Sequence, residues 1–178
     1  CYMVFFSMWN LLSGYSGMIS LGQQSFIGIG GYVLGVFSLL RLNVLAGIVV
    51  GGISAAVFAL LISVPLFKMR GVYFAIGTAV VAELLRLFFT SLRPSEAETA
   101  IWGGAGIPIK AAANYTVVDL YYMAVFVGII SLTAITLLLQ SRLGLALIAI
   151  KDNDKAAAAC GVDVFRCKLY VFILSAFF

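Results

Sequence analysis

The run LNVLAGIVVGGISAAVFALLISVPLF, residues 42–67, holds 26 residues and not one charged side chain. A hydrocarbon core of about 30 Å is crossed by about 20 apolar residues in helical form, so this stretch reads as a membrane span. It shows no period-2 alternation. Backbone polar groups in lipid are satisfied only within helices or closed barrels, and the pattern selects the helix.

The same count, carried outward, sets the rest of the fold. No charge precedes Arg41, and forty uncharged residues exceed one span. The turn-forming Ser13-Gly14-Tyr15-Ser16-Gly17 divides them into a short first segment, Cys1 to Leu12, and a second, Met18 to Leu40. Further on, Val72 to Leu92 is apolar except for Glu83 and Arg86, Leu120 to Ser141 is charge-free over 22 residues, and Leu169 opens a last apolar run. The expectation is an all-α, polytopic transmembrane helix bundle, a single transmembrane domain over 1–178, with four complete membrane segments plus a partial one at each end. The first run lacks an initiator Met, a basic n-region and the length of a span, so the sequence reads as a fragment truncated at both ends.

Composition agrees and excludes whole classes of function. Hydrophobic residues make up 63% of the chain and charged residues 10%, against roughly 45–50% and 25% in soluble domains, which argues against a soluble enzyme. There is no histidine, so Ser-His and Cys-His nucleophile systems and His-ligated metals are unavailable. Cys1, Cys160 and Cys167 form no C-x-x-C pair and suggest neither zinc nor a disulfide framework. No G-x-x-x-x-G-K-[ST] is present, so the chain cannot hold ATP in a P-loop. No catalytic residue, metal or cofactor is expected. The net charge of +4 reads as basic cytoplasmic loops, with no nucleic-acid partner.

Alternate loops belong to alternate sides of the membrane. One side holds Lys68, Arg70, Arg142, Lys151, Lys155, Arg166 and Lys168; the other holds Arg41, Arg93 and Lys110. Seven against three places 68–71 and 140–168 in the cytoplasm and 93–118 outside. The external loop is long enough to bind something rather than merely turn the chain.

Three places carry candidate function. The first is the segment Met18 to Leu40, where Gly22, Gly28, Gly30, Gly31 and Gly35 sit among Ser20, Gln23, Gln24, Ser25 and Tyr32. Small and polar residues of this kind serve close helix packing, or build a solute pathway with unwound backbone; on the second reading Ser20, Gln23, Gln24 and Tyr32 line that pathway. The second is Glu83 with Arg86, the ionisable residues inside a span, whose i, i+3 spacing suits an intramembrane ion pair with a structural or a gating role. The third is the loop 140–168. Asp152 is placed as an N-cap and Gly161 as a C′ residue, bracketing a short helix from Asn153 to Cys160 with a narrow surface of four alanines. Such a helix fits a groove in a partner or rests on lipid.

With these motifs in order, the chain resembles the inner-membrane permease subunit of branched-chain amino acid ABC importers. The resemblance rests on Asn10 to Gly17 and Ser20 to Tyr32, on Arg70-Gly71-Val72-Tyr73-Phe74-Ala75-Ile76, on Ala82 to Arg86, and on Ser141-Arg142-Leu143-Gly144 through Lys151-Asp152-Asn153-Asp154 to Gly161-Val162. It implies a second related permease, cytoplasmic ATP-binding subunits and an external solute-binding protein as partners, in the cytoplasmic membrane of a prokaryote with lipid around the bundle. It also implies that Asp152, Asn153, Asp154, Ala156, Ala157, Cys160 and Gly161 belong to a coupling helix that docks on the ATP-binding subunit. Lys155 and Ala158 stand where relatives commonly carry acidic residues. The expected function is ATP-driven import of leucine, isoleucine and valine by alternating access, with no covalent chemistry in this chain. Urea or short amides as solutes, or a secondary transporter driven by an ion gradient through Glu83, are the alternatives.

Overall fold

The computed structural model describes residues 2–40, 43–69, 71–91 and 116–178, and among them every regular element is a helix. Helix α1 (Tyr2–Asn10) runs into a π-helical turn (Leu11–Tyr15); α2 (Gln23–Leu39), α3 (Val44–Leu66), α4 (Val72–Ser91), α5 (Val117–Gln140), α6 (Arg142–Asp152), α7 (Asp154–Ala159) and α8 (Val164–Phe177) follow. Helices α3, α4 and α5 are long and apolar enough to cross a membrane. Large apolar side chains such as Leu61, Phe88 and Phe126 point outward, as they do in a bundle whose solvent is lipid.

Small residues bring the helices together. The buried face of α3 carries Gly47, Gly51, Ala55, Ala59 and Ser63, a four-residue repeat of small side chains that permits close backbone approach where lipid gives no hydrophobic drive to association. A Cβ on Gly51 would come within 3.2 Å of the Gly30 carbonyl oxygen on α2, and one on Gly52 within 2.8 Å of the Phe177 carbonyl oxygen on α8. The core closes around Phe172 of α8, fully buried, with its ring edge-on to Phe26, Phe67 and Phe74 at 5.5, 5.6 and 6.3 Å.

Three expectations need correction. Ser13, Gly14 and Tyr15 do not break the first segment but complete its π-helical turn; the chain leaves helix at Ser16, and α2 starts only at Gln23. The span expected from Met18 is therefore shorter at its start, with 16–22 unwound. Residues 140–168, expected as a loop with one short helix, hold α6, α7 and the start of α8 in succession. The corner between α5 and α6 is made by Ser141, extended at ψ 172°, whose hydroxyl donates to the Leu138 carbonyl and accepts from Leu143 N–H. Gly144 follows because a Cβ there would collide with the Leu139 backbone. The external loop expected at 93–118, with Arg93 and Lys110, lies outside the described residues apart from its last three.

Candidate functional site

Two polar sites stand out from the apolar bundle, and α8 touches both. The first is the α7 corner. Asn153, extended at φ −158°, is the N-cap: its side-chain oxygen accepts from Lys155 N–H at 3.0 Å and Ala156 N–H at 3.3 Å. Asp152, expected in that role, instead ends α6, because the chain reaches extended backbone one residue later. At the far end, Val162 N–H bonds to the Ala157 carbonyl and Gly161 N–H to that of Ala158, a Schellman closure that uses the left-handed φ of 86° at Gly161. The expected helix from Asn153 to Cys160 is thus six residues long, Asp154 to Ala159.

Its faces are distinct. Ala157 is 4% exposed and packs into the core cluster with Leu147 and Val171, so it is not part of an outward surface, as expected from sequence. Lys155, Ala156, Ala158, Ala159 and Cys160 are exposed. Asp154 turns back and accepts from Lys168 Nζ at 2.8 and 2.9 Å, which ties α7 to the second turn of α8. A cleft of about 460 Å³ opens beside this pair, lined by Gly17, Phe67, Lys151, Asp152, Phe165 and Lys168. Cys167 is buried under the corner; burial, with the charge of Asp163, raises its thiol pKa, while Cys160 faces outward. An interfacial helix would carry bulky apolar residues on its outer face, and α7 has none there.

The second site is the unwound entry to α2. Leu21 N–H donates to Thr78 Oγ1 of α4 at 3.0 Å, and Trp9 Nε1 donates to the Ser20 carbonyl at 3.2 Å. Gly22 lies so close to α4 that a Cβ would sit 2.5 Å from the Thr78 carbonyl oxygen. From the first turn of α2, Gln23 Nε2 donates to Ser175 Oγ of α8 at 2.9 Å, a buried bond between residues 152 apart in sequence. Ser20, Gln23 and Ser25 are 1%, 6% and 5% exposed, and Ser20 Oγ, Gln23 Oε1 and Ser25 Oγ have no hydrogen-bond partner among the described residues. Each orphaned buried polar atom costs about 1–3 kcal/mol.

Of the expected pathway residues, Ser20 and Gln23 meet here. Gln24 is exposed on the bundle surface, and Tyr32 stacks on Phe89 of α4 with centroids 4.1 Å apart. Thr78 and Ser175 complete the cluster; nothing in their local sequence marks them, since each is a lone hydroxyl in an apolar run. Glu83 and Arg86 form the expected pair within α4, Arg86 Nε donating to the carboxylate at 3.0 and 3.1 Å. The pair lies on the outer surface of this chain, with side chains 55% and 65% exposed, rather than inside its own bundle. Among the described residues no cluster of three metal-ligating side chains occurs.

A family model described as the permease component of the branched-chain amino acid transport system matches residues 4–178. The chain is 28% identical over 203 aligned positions to the high-affinity branched-chain amino acid transport system permease protein LivM of Escherichia coli (strain K12), covering 95% of this chain and 46% of that protein. It is 27% identical to the protein of the same name in Salmonella typhimurium (strain LT2), with the same coverage. The chain thus spans about half the length of the curated relatives it matches. No solved structure matches it.

Proposed function

Since the chain belongs to the family of permease components of branched-chain amino acid transport systems, we propose that it is the membrane path of an ATP-driven importer of leucine, isoleucine and valine. It sits in a prokaryotic cytoplasmic membrane beside a second related permease. An external binding protein delivers solute, and ATP-binding subunits grip the exposed face of α7 from the cytoplasm.

The observation that carries this reading is the α7 corner: a doubly capped short helix, presented outward, whose Asp154 is fastened to Lys168 of α8. Movement of the docked partner is passed through that ion pair to α8. Ser175, on the same helix, bonds to Gln23 at the start of α2, so the push arrives where the membrane helix is already unwound. Alternation of access is the rocking of α2 and α8 against α4. Glu83 is paired within its own helix and offers no lone carboxylate for an ion gradient.

The test is uptake of labelled leucine, isoleucine, valine and urea into vesicles carrying the full-length permease with its companion subunits. ATP-dependent uptake of the branched-chain amino acids with ion gradients collapsed is the expected result. Uptake that ignores ATP and vanishes with the gradient defeats the proposal.

A further inference from the structure

We propose that the start of α2 is a subsite for the charged head of an α-amino acid: the Ser20 and Ser25 hydroxyls donate to its carboxylate, and Gln23 Oε1 accepts from its ammonium. The inference rests on the permease reading above and adds the solute chemistry that the path selects.

Three orphaned polar atoms lie within the six residues that straddle Gly22, the last unwound position, and the first turn of α2. Buried hydroxyls and amides are nearly always satisfied, so three orphans together call for a partner from outside the chain. Their chemistry defines that partner. Gln23 spends its amide hydrogen on Ser175, which leaves its oxygen free as an acceptor. Each serine hydroxyl has a proton to give. Helix α2, 17 residues long, adds the positive end of its dipole. Two hydroxyl donors at a helix N-terminus favour an anion, and an acceptor beside them favours the cation next to it. A neutral amide such as urea carries no net charge and so gains less from the dipole than a carboxylate does. The orphaned atoms are sealed from solvent, so the solute reaches them when segment 16–22 parts from α4. That contact is held by the Leu21 to Thr78 bond and by the close fit of Gly22.

The experiment uses the full-length permease in proteoliposomes with its companion subunits and loaded binding protein. It compares wild type with Ser20→Ala/Ser25→Ala, reading leucine uptake at saturating binding protein and the thermal midpoint of the complex. The expected result is uptake reduced about tenfold or more with the midpoint unchanged or raised, because removing an orphaned hydroxyl relieves its burial cost. Uptake within about twofold of wild type overturns the subsite, and so does a midpoint that falls together with uptake. A wild-type complex that carries urea as fast as leucine also overturns the head-group assignment while leaving the permease reading intact. A wild-type complex with no ATP-dependent uptake defeats that reading itself.

Discussion

At Asn153 one amide oxygen serves two backbone N–H groups, and the helix behind it has only six residues. Asn153→Ala removes a cap worth about 1 kcal/mol, a large share for so short a helix; faster hydrogen exchange across 154–159 and weaker retention of the ATP-binding subunit are the expected results, and Asn153→Asp preserves both. Glu83 and Arg86 make a second residue-scale case. A charge left without its partner in a span is costly, so Glu83→Gln alone is expected to lower the folded yield in the membrane, measured by fluorescence-detected size exclusion. The double change Glu83→Gln/Arg86→Gln restores it if the pair is structural. Normal yield with lost transport assigns the pair to gating instead. These residues were legible because charge and capping are local: Glu83 and Arg86 stand i, i+3 in an apolar run, and Gly161 comes just after four alanines and Cys160. Ser175 was not, because its partner Gln23 lies 152 positions away. The cap was misplaced by one residue because Asp152 and Asn153 are both good caps, and only the backbone at 153 decides between them.

Helix α7 shows what pattern reading misses at the scale of an element. Four alanines in a row carry no periodicity, so nothing in them tells the buried one from the exposed ones; packing on α6 and α8 makes Ala157 the inward residue. Ala157→Trp therefore lowers folded yield, whereas Ala156→Trp leaves yield intact and blocks co-purification of the ATP-binding subunit. Equal yields for the two would show that α7 does not pack as described. Helix α6 escaped notice for a different reason: between Arg142 and Lys151 only eight uncharged residues occur, too few for a span, and such a run reads as loop until the Ser141 corner turns it onto the bundle. For α3, α4 and α5 the apolar runs located both ends within three residues of those observed. The link from α7 to α8 has its own test. Lys168→Asp lowers uptake by breaking the bond to Asp154, and adding Asp154→Lys recovers it. Because the Asp154 side chain is 43% exposed, the pair contributes no more than about 1 kcal/mol to stability, so the loss is expected in coupling rather than in folding.

At the scale of the whole molecule, the proposed topology puts the side that carries α7, with its excess of Lys and Arg, in the cytoplasm. With other cysteines removed, Cys160 is expected to react with a membrane-impermeant maleimide only in inside-out vesicles, as an exposed thiol beside the docking face; Cys167, buried, stays unlabelled until the protein is unfolded. Labelling of Cys160 in right-side-out vesicles would reverse the topology. Helix α8 then serves as a depth gauge. With Lys168 taken at the cytoplasmic surface, as that topology proposes, Ser175, seven residues on, lies about 10 Å deeper at 1.5 Å per residue. The bonded start of α2 shares that depth, and the 17 residues of α2 cover about 25 Å beyond it, enough to reach the opposite face. On this topology the unwound segment lies about a third of the way in rather than at mid-membrane, and the proposed barrier is lopsided. On the proposed path, a solute from outside would meet Ser20 and Gln23 only after most of the crossing, and the cleft lined by Gly17, Met18 and Phe67 opens on the α7 side of the chain.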